Sequence, residues 1–180
     1  MSKKIEYGFA ESPFGEIIVA RTWDGVCDLQ FLADNRLEVI HELAARWGVY
    51  TPTTQNDTMA HTVERVAFEG YDHPLKLDMR GTDFQLRVWE ELRRIPFGTT
   101  ASYQDIARRI GKPRAVRAVA TAIGQNPMAM LIPCNRVIHS DGTPGEYHWG
   151  RELKQRLLDW ERQVVKNGGF GTPGNDGATK

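Results

Sequence analysis

Cysteine is scarce in this chain: 2 in 180 residues, Cys27 and Cys134. Two thiols build neither a disulfide framework nor a four-thiolate metal site, and the expected home is a reducing cytoplasm. No run of about 18 or more apolar residues occurs, which excludes a membrane-spanning helix. The N-terminal stretch MSKKIEYGFAESPFG has lysines but no apolar core, so it does not read as a secretory signal. The five histidines, His41, His61, His73, His139 and His148, are scattered, and none stands at a ligand spacing from Cys27. Neither a metal nor a cofactor is therefore expected. Net charge is absent too, with 23 Lys+Arg against 23 Asp+Glu. That balance hides a division. Residues 1–78 hold 7 Lys/Arg against 13 Asp/Glu, net −6, and residues 79–180 hold 16 against 10, net +6. A basic half beside an acidic one fits a nucleic-acid partner, and fits two ordinary solvated surfaces as well.

What is present reads as α/β followed by α. GEIIVARTW and VCDLQFL are short apolar runs separated by Asp24-Gly25, a strong hairpin signal. RLEVIHELAARWG carries Leu37, Ile40, Leu43, Ala44 and Trp47 at helical spacing, with Gly48 as a stop. YTPTTQNDT reads as a turn-rich loop, TMAHTVERVAFEGY as a weaker helix, and PLKLDMRG as a strand or extended linker. In the second half, TDFQLRVWEELRRI opens on a Thr82/Gln85 capping box, with Phe84, Val88, Trp89, Leu92 and Ile95 as its core stripe. SYQDIARRIGKPRAVRAVATAIGQN reads as helix, turn, helix. Ser102 caps the first helix, Gly111 stops it, and Pro113 opens the second, which carries Arg114 and Arg117. GRELKQRLLDWERQ is a last amphipathic helix. The expected division is 1–78, 79–165, and a tail at 166–180 too poor in apolar residues to fold.

Two features carry chemistry. A helix-turn-helix places its second helix in a DNA groove in many proteins, although many helical hairpins of this length touch no DNA. The second helix is rich in small residues, Ala115, Ala118, Ala120, Ala122 and Gly124. Such residues allow close approach to a narrow groove or tight helix packing. Directly after it comes LIPCNRVIH, an extended segment with Cys134 between Pro133 and Asn135. A cysteine there is either buried and structural, the common case, or a nucleophile.

The run from Ser102 to Glu161, SYQDIARRIGKPRAVRAVATAIGQNPMAMLIPCNRVIHSDGTPGEYHWGRELKQRLLDWE, closely resembles the active domain of the O6-alkylguanine-DNA alkyltransferases, also called methylated-DNA–protein-cysteine methyltransferases. The resemblance is close over 79–163 and looser over the first half, where ESPFGEIIVA and GVCDLQFL resemble that family's first strands. It implies an N-terminal small β-sheet with helices, ribonuclease-H-like in shape. The implied C-terminal domain is mostly helical and holds the helix-turn-helix and the active site. It also implies a suicide DNA repair protein. Such a protein, a monomer, enters the minor groove of double-stranded DNA, flips out O6-alkylguanine and moves the alkyl group onto its own cysteine. Base extrusion costs a few kcal/mol, least where pairing is already poor. By the resemblance, Cys134 is the alkyl acceptor. Tyr103 donates to the extruded base, Asn126 orders the loop before the cysteine, and Glu161 ends a proton relay. Arg117 fills the gap left by the flipped base, with Arg114, Ala115 and Ala118 against DNA. Tyr147, His148 and Trp149 line the pocket. Read on their own, Glu161 is an ordinary solvated residue of the last helix, the aromatic run is core, and Arg136 is structural.

One position departs from the family. Its signature is Pro-Cys-His-Arg, and position 135 here is Asn. In the family that histidine links the cysteine to the glutamate and helps form the thiolate, the reactive species. An amide keeps the hydrogen bonds but takes no proton near neutral pH. An unperturbed thiol is roughly 3% ionised at pH 7. Losing the activation therefore slows a single turnover by about thirtyfold, and burial enlarges that loss. The competing reading is a damage-sensing binder like the alkyltransferase-like proteins, which have tryptophan in place of the cysteine.

Overall fold

The computed structural model describes residues 3–33, 35–48 and 50–170. Packing divides the chain into two compact units: residues up to Arg80 together with Pro127–Ala129, and Gly81–Asn126 together with Met130 onward. The divide falls two residues beyond the expected one. A three-residue segment of the second half packs with the first.

The first unit is a four-stranded sheet with two helices. Its elements are β1 (Lys3–Ser12), β2 (Gly15–Thr22), β3 (Gly25–Phe31), α1 (Arg36–Trp47), β4 (Tyr50–Gln55) and α2 (Asp57–Phe68). The spatial order is β3-β2-β1-β4, with β1, β2 and β3 antiparallel and β4 parallel to β1. The Asp24-Gly25 hairpin is present, and Gly25 sits at φ +148. A Cβ there would meet the Lys76 carbonyl oxygen at 2.4 Å. YTPTTQ is a strand, not the expected loop, because its hydrogen bonds come from β1, about 45 residues earlier in the chain. Ile5, Phe9, Ile18, Ala20, Cys27, Leu43 and Trp47 form one core cluster. Asn35 and Asn56 cap α1 and α2 with their side chains. Leu37, assigned by periodicity to the core of α1, is 67% exposed.

β3 lies at the sheet edge, and its outer side is covered twice. Val26 bonds to Lys76–Asp78 (Val26 N to Lys76 O 2.8 Å, Asp78 N to Val26 O 2.8 Å), so PLKLDMRG contributes one short bridge. Leu29 bonds to Pro127–Ala129.

The second unit holds α3 (Asp83–Leu92), β5 (Ala101–Ser102), α4 (Tyr103–Arg109), α5 (Val116–Gly124), a 3₁₀ turn (Cys134–Arg136), β6 (Val137–Ile138) and α6 (Arg151–Lys166). The Thr82/Gln85 capping box forms, and Ser102/Asp105 makes a second one. Val88, Trp89, Leu92 and Ile95 are buried as the stripe predicts. α5 begins later than expected. Ala115 N donates to Lys112 O (2.9 Å), so the chain makes a separate turn after Pro113. Arg114 lies in that turn and Ala115 is the N-cap, and of the two arginines only Arg117 stands on the helix. The segment carrying Cys134 is a 3₁₀ turn rather than extended chain. Of the tail expected at 166–180, Lys166 closes α6 and Phe170 packs on Phe97 and Trp160 (centroids 5.2 and 6.1 Å). Residues 171–180 lie outside the described residues. Among the described residues no helix is long and apolar enough to cross a membrane.

Candidate active site

Cys134 is buried, at 3% exposure. Pro133 restricts the backbone ahead of it, and Cys134 N donates to Ile132 O at 2.7 Å. Asn126 holds the loop from the other end, with Nδ2 2.8 Å from Ile132 O and 3.1 Å from Cys134 Sγ. One carboxamide thus bridges the backbone before the cysteine and the sulfur itself. Parallel pairing of β5 with β6 (Ala101 with Val137, Ser102 with Ile138) puts Tyr103, the first residue of α4, beside the cysteine turn.

Behind Cys134 lies a buried polar cluster. Glu161 is 1% exposed. It accepts from Asn135 Nδ2 at 2.7 Å on one oxygen and from Arg136 Nε at 2.6 Å on the other. Arg136 Nη1 donates to Ile95 O (2.8 Å), and its guanidinium lies 5.3 Å from the Phe97 ring centroid. Glu161 is therefore not solvated. Burial pushes its carboxyl up, against the pull of Arg136 and Asn135. Asn135 is fully buried and its Oδ1 takes no hydrogen bond from the described residues.

Lys154 was not singled out in the sequence. It is 1% exposed, and its ammonium donates to Pro144 O (2.5 Å), Glu146 O (3.2 Å) and the Tyr103 hydroxyl (3.2 Å). Burial lowers it from 10.5 to about 8, although Cys134 and Glu146 support its charge. The signal was legible. Lys154, Leu157, Leu158 and Glu161 are the buried residues of α6. Their spacing is that of a helical core stripe, and its two charged ends are unusual there.

The same burial holds the Cys134 thiol above its ordinary value, with the Asn126 hydrogen bond and the Lys154 charge pulling it down. Tyr103 is raised by burial and by Cys134. Tyr147 is raised well above its usual value by burial, Cys134 and Glu161. Gly145, at φ +76, lets the loop pass over Tyr103, since a Cβ there would lie 3.0 Å from the phenol oxygen. Trp149 packs edge-on against Tyr147 and His148 (5.2 and 4.7 Å), with His148 exposed.

The expected site residues fall into adjacent groups: Asn126 bonds to Cys134, Asn135 to Glu161 and Tyr103 to Lys154, while Tyr147 is coupled electrostatically to both Cys134 and Glu161. Arg114, Arg117 and Ala118 are exposed elsewhere in the same unit. The buried face of α5 is Val119, Ala122 and Ile123, with Trp89 Nε1 on Ala122 O at 2.8 Å. Among the described residues no group of three or more His, Cys, Asp or Glu is placed to hold a metal ion.

The family described as "6-O-methylguanine DNA methyltransferase, DNA binding domain" matches residues 83–163. The chain is 38% identical over 161 residues to the methylated-DNA–protein-cysteine methyltransferase of Methanosarcina barkeri, covering 89% of this chain and 99% of that one. It is 41% identical over 167 residues to the bifunctional transcriptional activator/DNA repair enzyme Ada of Escherichia coli. That match covers 88% of this chain, which spans only 46% of Ada. The crystal structure of Mycobacterium tuberculosis OGT in complex with DNA superimposes with a TM-score of 0.71 at 35% identity, over 88% of this chain and 93% of that one. A chain that spans nearly all of one methyltransferase at this identity, with the mixed α/β fold of another, belongs to the methylated-DNA–protein-cysteine methyltransferase family.

Proposed function

We propose that the protein is a single-turnover DNA repair enzyme that moves the alkyl group of O6-alkylguanine in duplex DNA onto Cys134. The observation that carries this reading is the pairing of Asn126 Nδ2 with Cys134 Sγ, with the Lys154 charge acting on the same buried sulfur and bonded to the Tyr103 phenol. A merely structural cysteine needs no such partners. In the proposed step the Cys134 thiol releases its proton to solvent, the thiolate attacks the alkyl carbon, and the carbon–O6 bond breaks. Tyr103 gives its proton to the departing guanine and regains one from solvent. Lys154 supplies positive charge beside the sulfur and holds the phenol. Asn135 and Arg136 orient Glu161 but carry no proton. Arg117, with Arg114, Ala115 and Ala118, contacts DNA from the minor groove, and Tyr147, His148 and Trp149 line the base pocket. The second unit, 81–126 and 130 onward, carries both DNA contacts and chemistry. The protein acts as a monomer in the cytoplasm.

The test is intact-protein mass spectrometry after incubation with a duplex containing O6-methylguanine, with Cys134→Ala as control. One methyl is gained by the wild type only, and maps to Cys134. No gain over hours with tight lesion binding would make the protein a damage sensor instead. The rate has a stated pH dependence. It rises from pH 6 to about 8 as the thiol ionises, then levels as Lys154 loses its proton at about 8. A flat profile over that range contradicts the assignment.

Asn135→His tests the departure from the family motif. The expected result is faster transfer at pH 7, by about thirtyfold or more, because even a thiol free of burial is only roughly 3% ionised there and burial holds Cys134 below that. An unchanged rate would show that thiol ionisation does not limit the step.

A further inference from the structure

Residues 127–129 leave the second half of the chain and bond to the edge of the N-terminal sheet. Leu29 N donates to Pro127 O (3.0 Å), Ala129 N donates to Leu29 O (3.0 Å), and Gln30 Nε2 donates to Pro127 O (2.9 Å). The Pro127 carbonyl uses both lone pairs. Gln30 and residues 127–130 are all buried. The Gln30 carboxamide lies against Asp28, which is itself held by Arg46 (2.6 Å) and Trp47 (3.2 Å). Only four residues separate this clamp from Cys134. The first, Met130, sits at φ +67, a conformation a non-glycine residue keeps only where its surroundings enforce it. The last is Pro133.

The geometry points to Gln30 as a positioning residue for the transfer reaction: its hydrogen bond to Pro127 O fixes the start of the segment that ends at Cys134. Asn126 fixes the far end of the same segment. A sulfur displaced by about 1 Å from its line of attack loses on the order of a hundredfold in rate, and freeing one of three anchoring bonds costs part of that. This assignment rests on the proposed transferase reading, and its test separates the two.

The full-length protein is compared with Gln30→Met, which keeps the length and lacks the N–H. Thiol labelling by iodoacetamide is followed at Cys134 and at Cys27, which is buried on β3 next to the clamp and serves as internal reference. The expected result is faster labelling of Cys134, by about fivefold or more, with Cys27 unchanged. Methyl transfer from a saturating O6-methylguanine duplex falls about tenfold, while duplex affinity stays within about twofold. Labelling of both cysteines rising in step would mean general loosening and would overturn the assignment. So would wild-type behaviour at Cys134. Gln30→Glu adds a sharper readout. The new carboxyl donates to Pro127 O only while protonated, so its transfer rate relative to the wild type falls by about tenfold between about pH 5 and 8. A climb parallel to the wild type refutes the role. If labelling shifts as expected but the wild type transfers no methyl, the clamp stands and the transferase reading fails.

Discussion

Lys154→Met lowers the rate of methyl transfer at pH 7.5 by about a hundredfold or more. The substitution keeps an unbranched side chain one atom shorter and removes the only cation that contacts Tyr103 among the described residues. Three acceptors lose their donor at once: the Pro144 and Glu146 carbonyls and the Tyr103 hydroxyl. The Cys134 thiol, already raised by burial, loses a charge that pulled it down, so its ionisation moves further from neutrality. The pH profile should then climb past pH 8 without levelling, since no group at about 8 remains to titrate. Stopped-flow or quenched transfer assays from pH 6 to 9.5 measure both effects. A variant with the wild-type profile would remove Lys154 from the reaction. Stability moves the other way. A lysine lowered from 10.5 to about 8 on folding binds its proton better when unfolded, so its burial destabilises the fold below about pH 8. That penalty fades as pH rises towards 10.5. The wild type therefore gains a contribution to thermal stability across this window that Lys154→Met lacks.

Arg136→Met destabilises the fold by about 3–5 kcal/mol, a fall of about 6–20 °C in Tm for a domain of this size. The reason is Glu161. Its carboxylate is buried and accepts from Arg136, Asn135 and the Gly98 backbone, and the arginine supplies its only ion-pair partner among the described residues. With Arg136 gone, an unpaired buried charge remains, or the carboxyl takes up a proton. The double variant Arg136→Met with Glu161→Gln leaves no charge behind and keeps an acceptor for Asn135. It recovers more than half of the lost stability, as calorimetry would record. If the single and double variants melt together, the ion pair is not what holds the cysteine turn to α6.

Much of the scaffold was legible because its signals are local. The Asp24-Gly25 hairpin, the Thr82/Gln85 capping box and the Ser102 cap depend on residues within a few positions of one another. β4 was not legible. TPTT has neither the apolar content nor the alternation of a buried strand, and its pairing with β1 breaks register opposite Pro52. The start of α5 is not legible because Pro113 suits a first helical turn and also a separate turn, and only the Ala115–Lys112 hydrogen bond distinguishes them. In the site, Cys134, Asn135 and Glu161 were named through the family motif, not through the pattern of the chain. Glu161 and Lys154 share a cause of concealment. Each is a charged residue on a helix rich in charge, and only its phase relative to Leu157 and Leu158 reveals that it points inward.

The placement of Pro127–Ala129 also bears on cutting the protein apart. The matched family segment, 83–163, has the look of a separable module. A fragment ending at Arg80 would leave the Leu29 amide and carbonyl and the Gln30 carboxamide facing water along an unprotected strand edge, a template for self-association. The complementary fragment would carry a buried tripeptide with nothing to bury it. A cut at Arg80 thus splits the first unit itself, and co-expressed pieces complete its sheet edge only by reassembling, in the manner of a split reporter.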